Sequence, residues 1–112
     1  MITVKVFVDS EGEYRGVRVS GHAGFRQAGE DIVCAAVSVL TQNTVNAIEA
    51  FTEDRFLCSV EDGDLDFSFT GEVSKESKLL LNTLMLGFES IRDSYQEEQK
   101  KYPYIRIITE EV

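Results

Sequence analysis

Residues 21 to 40 read GHAGFRQAGEDIVCAAVSVL, and the change of pattern inside them decides how the chain is built. Ahead of Gly21 the apolar residues alternate. Behind Asp31 they recur with a helical period, at Ile32, Val33, Ala36, Val37, Val39 and Leu40 and then at Val45, Ile48 and Phe51. Between the two patterns, Gly21, Gly24 and Gly29 with Phe25 and Arg26 make a glycine-rich loop of the kind that carries binding and gating roles. The expected helix runs from Asp31 to about Thr52, with Asp31 as its N-cap and Cys34 at its third position, where the amide has no partner inside the helix. Its first three turns are apolar nearly all round. A helix of that kind is covered on more than one side, by a sheet and by a second helix or a partner subunit.

Toward the N-terminus, residues 2 to 9 and 14 to 20 read as strands around the polar connection Ser10-Glu11-Gly12-Glu13, with Ile2, Val4, Val6 and Val8 on one face. Toward the C-terminus, RFLCSVE (55–61) and DLDFSFT (64–70) flank Asp62-Gly63, a strong two-residue hairpin signal. Cys58 falls in the first of these strands and is expected to be a small packed residue, since nothing near it in sequence would ionise it. A second helix is expected from a Ser74 cap to Gln99, with Leu79, Leu80, Leu84, Phe88, Ile91 and Tyr95 at helical spacing and Leu81, Met85 and Leu86 widening the apolar face. Its tail, Gln96 to Lys101, is a solvated face. Tyr102 to Thr109 is a final strand, with Pro103 near its start where a missing donor does least harm.

The element order is therefore ββαββαβ in the α+β class, a mixed, mostly antiparallel sheet packed with two long helices. Both helices on one face is the first expectation, and opposite faces would satisfy the same order. Spare apolar surface on each helix suggests a homodimer.

At 112 residues the chain is expected to be one domain, with 43% hydrophobic and 28% charged residues. Its start, MITVKVFVDS, lacks a basic region and is too polar for a signal sequence or a membrane span, so the cytosol is the expected compartment and both cysteines are expected to be free thiols. A formal charge of −9 argues against a nucleic-acid backbone as direct partner, because phosphate binding wants clustered Lys and Arg, and it suits a basic protein or peptide.

The chemistry gathers in the quoted stretch. It holds the only histidine, His22, and one of two cysteines, Cys34. A thiol with a reference pKa of ~8.5 is only slightly ionised at neutral pH, so a cysteine nucleophile needs help. An imidazole can take its proton, and a helix N-terminus favours the thiolate. His22 then serves as base or ion-pair partner, and afterwards as acid for a departing amine. Against this stands the plain alternative that Cys34 is a buried structural residue and His22 a strand-end residue with a satisfied hydrogen bond. Asp31 either caps the helix or orients the imidazole; Ser38, one turn beyond Cys34, is either a core hydroxyl bonded back to its own helix or a polar contact for the site. Metal binding by His22, Cys34, Cys58 and Asp31 fits poorly, because no paired ligands stand at short spacing, and no phosphate-cradling glycine motif occurs. No cofactor is expected.

Gly21-His22-Ala23, a variable loop, and Gly29-Glu30-Asp31-Ile32-Val33-Cys34-Ala35-Ala36-Val37-Ser38 together resemble the bacterial ribosomal-processing cysteine proteases called Prp. The resemblance implies a cytosolic endopeptidase that removes a short N-terminal extension from a large-subunit ribosomal protein. It puts the catalytic pair on His22 and Cys34, with Gly21, Asp31 and Ser38 at the other motif positions. A basic ribosomal protein would be the partner. Two other functions fit the same residues: a non-enzymatic ribosome-assembly factor gripping a basic partner, and a thiol hydrolase acting on other acyl groups.

Overall fold

Alternation becomes a sheet and helical periodicity becomes its cover. The computed structural model describes residues 1–21, 30–94 and 104–112. Strands β1 (Ile2–Val8) and β2 (Tyr14–Ser20) form the first hairpin, pairing Val4 with Val19 and Val6 with Val17. The Asp9 carboxylate shapes the reversal by accepting from the amides of Glu11 at 2.8 Å and Glu13 at 3.0 Å. Helix α1 (Glu30–Phe51) follows, then a second hairpin of β3 (Phe56–Glu61) and β4 (Asp64–Phe69). At its turn Asp62 and Gly63 take φ values of 53° and 84°, the left-handed pair that a tight two-residue hairpin requires. Helix α2 (Lys75–Ser94) and strand β5 (Ile105–Glu111) complete the order ββαββαβ.

The strands lie in the order β3-β4-β2-β1-β5, antiparallel throughout except for the parallel pair β1 and β5. One face carries the buried set Val4, Val6, Val17, Val19, Leu65 and Phe67. Both helices cover that face, as expected. The other face is polar, with exposed ion pairs Lys5–Glu110 at 3.9 Å and Arg18–Asp66 at 3.5 Å that contribute little to stability.

α1 turns Val33, Val37, Thr41, Thr44 and Ile48 toward the sheet, one stripe at helical spacing. Two of these are threonines. Their hydroxyls donate to the carbonyls of Val37 and Leu40, each at 2.7 Å, so neither hydroxyl is stranded in the core. On its neighbouring flank α1 meets α2 where Leu40 lies against Gly87. α2 buries Ser77, Leu81, Leu84 and Phe88, whereas Leu79 and Leu86, read from the sequence as part of the apolar face, are exposed. The stripe in sequence is wider than one sheet can cover. Ser74 caps α2 as expected, its hydroxyl accepting from the amide of Ser77 at 3.2 Å. The expected extension of α2 to Gln99, Tyr95 within it, and the start of the last strand at Tyr102 and Pro103 lie outside the described residues.

Two expectations about α1 are corrected. It begins at Glu30, so Asp31 stands inside its first turn instead of capping it, and Cys34 is the fifth helical residue. Glutamate is a good helix former, so the helix gains a residue at no cost. The amide of Cys34 then belongs to the intrahelical ladder, and the orphan donors are those one turn ahead of the thiol.

Candidate active site

The site is approached along β2, which ends at Ser20 and gives way to Gly21. Gly21 has φ +86°, and a Cβ there would stand 2.4 Å from the carbonyl oxygen of Met1. Only glycine fits. Its amide donates to Asp64 Oδ1 at 3.2 Å, which ties the end of β2 to the start of β4. His22 and the loop to Gly29 lie outside the described residues, as does the side chain of Asp31.

Cys34 is half-buried and packs against the hydrophobic core without being sealed in it. Four residues on, along the same flank, Ser38 is exposed, which excludes the core-hydroxyl role. Ser38 instead forms one wall of a cleft with Thr41 and Gln42; Val19 and Leu65 make the floor, and Val60 and Gly63 of the second hairpin make the facing wall. The strand end, the hairpin turn and the early turns of α1 thus meet at one end of the sheet. Cys34 and Ser38 are candidates that the sequence singles out, whereas Asp64 and the residues of β2, β4 and the hairpin that line the cleft with Ser38 are not. The one signal that could have brought them in was the Asp62-Gly63 turn, had its distance from α1 been known.

Cys58 departs from expectation, since it is exposed. It lies on β3, an edge strand of the sheet. Partial desolvation, and behind it the Asp66 carboxylate, push its thiol pKa up. The neutral thiol is a poor nucleophile. Of the two cysteines, Cys34 alone combines an early helical position with a neighbouring cleft.

A thiol in the opening turns of a helix is the setting that a cysteine nucleophile uses, and the family match places this α+β fold among the cysteine proteases. Residues 1–100 match the family model described as cysteine protease Prp, and the chain belongs to that family. It is 33% identical over 99 residues to the ribosomal processing cysteine protease Prp of Staphylococcus aureus, covering 87% of this chain and 93% of the relative. The protein of the same name from Bacillus subtilis is 28% identical over 85 residues, covering 70% of this chain and 76% of that one. The fold superposes on the S. aureus protease in complex with a substrate peptide with a TM-score of 0.85, at 30% identity over 98% of this chain and 100% of that one. The same S. aureus protease with a covalently linked product peptide gives a TM-score of 0.81 at 31% identity, with the same coverage.

Proposed function

We propose that this chain, acting as a single protease domain over residues 1–112, removes the N-terminal extension of a large-subunit ribosomal protein, with His22 and Cys34 as its catalytic pair. The Cys34 thiolate attacks the scissile carbonyl and forms a thioester as the C–N bond breaks. His22, carrying the thiol proton, delivers it to the departing amine and then takes a proton from the water that releases the acyl group. Amides in the first turn of α1 are the available oxyanion donors. Gly21 fixes the strand end from which His22 departs, Ser38 offers a polar contact beside the thiol, and Asp31 acts from the first turn.

The observation that carries this reading is the setting of Cys34: early in α1, half-buried, and one turn ahead of the exposed Ser38 at a cleft. The S. aureus relative, a protease solved with substrate and product peptides, supports it. A net charge of −9 suits a basic ribosomal protein as substrate, with no direct contact to nucleic acid. No helix among the described residues is long and apolar enough to cross a membrane. We place the enzyme in the cytoplasm, without attachment to a membrane, and as a homodimer, on the strength of the apolar side chains that both helices leave exposed.

The test is cleavage of a peptide spanning the extension junction, read by mass. Because Cys58 is exposed, alkylation belongs in a Cys58→Ser background, where iodoacetamide loss of cleavage reports Cys34 alone. Cys34→Ser and His22→Ala should each abolish cleavage with the fold intact, and activity retained in either variant overturns the pair. Binding without cleavage would instead make the protein an assembly factor, and turnover of esters but not peptides would make it a hydrolase of other acyl groups.

A further inference from the structure

Proteolysis makes no use of the outer edge of β3. We infer that this edge is a self-recognition surface, on which β3 of one copy pairs antiparallel with β3 of another about a two-fold axis at Cys58, joining two five-stranded sheets into one. It is separate from the helix faces on which the homodimer is placed, so it links one dimer to the next.

The backbone decides which groups are free. The amide of Thr70 donates to the carbonyl of Arg55 at 2.9 Å, so Arg55 faces β4, and by alternation so do Leu57, Ser59 and Glu61. The N–H and C=O groups of Phe56, Cys58 and Val60 therefore point away from the sheet, on a strand whose side chains are exposed from Leu57 to Glu61. Sheets usually blunt such an edge with charge, proline or a bulge. The other edge, β5, carries Arg106, Glu110 and Glu111. Between Phe56 and Val60, β3 has none of these devices.

The side chains decide the partner and the register. Residues with outward backbone groups can face only each other in hydrogen-bonded pairs. With Cys58 opposite its own copy, Phe56 of one chain lies opposite Val60 of the other, and all three outward residues pair. These three share the face of their neighbours Phe69, Phe67 and Leu65, which are buried, so the apolar layer continues across the join. The same register sets Arg55 against Glu61 at both ends of the strand pair. Both are exposed, and neither has an ion pair among the described residues. Asp54, next in line, is turned to α2, where it accepts from Ser74 and Ser77, and the left-handed Asp62 has already left the strand. Slipping by two residues one way sets Glu53 against Glu61, and the other way sets Arg55 against Gly63. One self-complementary register is left. A strand pair this short buries little surface, so it holds at about 0.1 mM and above.

The test is a short bis-maleimide crosslink in the Cys34→Ser chain, where Cys58 is the remaining thiol. In a hydrogen-bonded pair the two Cys58 Cα atoms stand about 5.5 Å apart, so most of the protein at about 0.1 mM should run at twice the chain mass. Arg55→Glu or Glu61→Arg sets like charges against each other at both ends and should lower the crosslinked fraction about fivefold. The two together make the pairs opposite again and should restore it, with thermal melts showing that each variant is folded. A crosslinked fraction no greater than that of Ser10→Cys in a chain with both native thiols changed to serine overturns the pairing. So does a fraction that the single reversals leave unchanged, or a double variant that stays as low as the single ones.

Discussion

The backbone amide of Gly21 donates to the carboxylate of Asp64 at 3.2 Å, so the residue from which His22 departs is held by the strand that floors the cleft. For the proposed catalytic pair, Asp64 is thus a positioning residue. Asp64→Ala should cost under about 1 kcal/mol of stability, as a partly exposed bond would, but lower kcat about tenfold through misplacement of the imidazole. Asp64→Asn keeps an acceptor oxygen and should restore most of kcat. If both variants melt and turn over like the wild type, the tie does no positioning. Gly21→Ala should be worse on both counts, because a left-handed φ costs a residue with a Cβ roughly 1–2 kcal/mol before any clash with Met1.

A second carboxylate holds the other end of the molecule. Asp54 accepts from the amide of Ser74 at 2.9 Å and its hydroxyl at 2.6 Å, and from the hydroxyl of fully buried Ser77. Partial burial opposes ionisation of Asp54, but these bonds outweigh it and hold its pKa below the usual aspartate value. A lowered native pKa means that the unfolded chain binds more protons in this range. Asp54 therefore contributes its full stability above the ordinary value of about 3.9 and loses it as the pH falls through the lowered native value. Asp54→Ala should leave the Ser77 hydroxyl without its acceptor, at about 1–3 kcal/mol, and flatten the acid limb of a stability profile measured by urea melts. An unchanged acid limb would count against it.

Where the helices cross, a Cβ on Gly87 would come 2.8 Å from Leu40 Cδ1, the far end of a flexible side chain. Gly87→Ala gains about 1 kcal/mol of helix propensity and costs about 0.5–1.5 kcal/mol to displace Leu40 from its rotamer. The net change in melting temperature should be small. In a Leu40→Ala background the displacement cost disappears, so the same substitution should stabilise. Equal effects in both backgrounds would show that the two residues do not meet.

Ile32 and Val39 on α1, and Leu79 and Leu86 on α2, are each spaced seven residues apart and at least 60% exposed. They form two apolar lines on the outer side of the helix pair. Val39→Glu with Leu86→Glu should convert the proposed homodimer to monomer at micromolar concentration, by light scattering, with the melt of the single chain little changed. A dimer that survives both charges must use another surface.

Much of this architecture can be read from local pattern, because it is decided locally. The Asp62-Gly63 turn, the alternation in β1 and β4, and the Ser74 cap each specify their own geometry within a few residues. What could not be read is settled by neighbours far away in sequence. Thr41 enters the core because the Val37 carbonyl accepts its proton, whereas Leu79 is left outside because the sheet has no room for a wider stripe. Cys58 reads as a packed residue and is exposed only because β3 proves to be the edge. Likewise Cys34 and Ser38 are visible as a pair one turn apart, but the cleft that Ser38 borders needs Val60, and its place beside α1 depends on the order of the strands.

The parallel pairing of β1 with β5 joins Ile2 to Ile105 across almost the full length of the polypeptide. Long-range parallel contacts of this kind are slow to form, because their closure entropy must be met before they contribute. Until residue 105 has been synthesised, β1 must wait with one edge unclaimed. A growing chain can therefore fold its hairpins early, but it completes the sheet only late in translation, and an interruption of synthesis before that residue would leave a sticky fragment instead of a smaller protease.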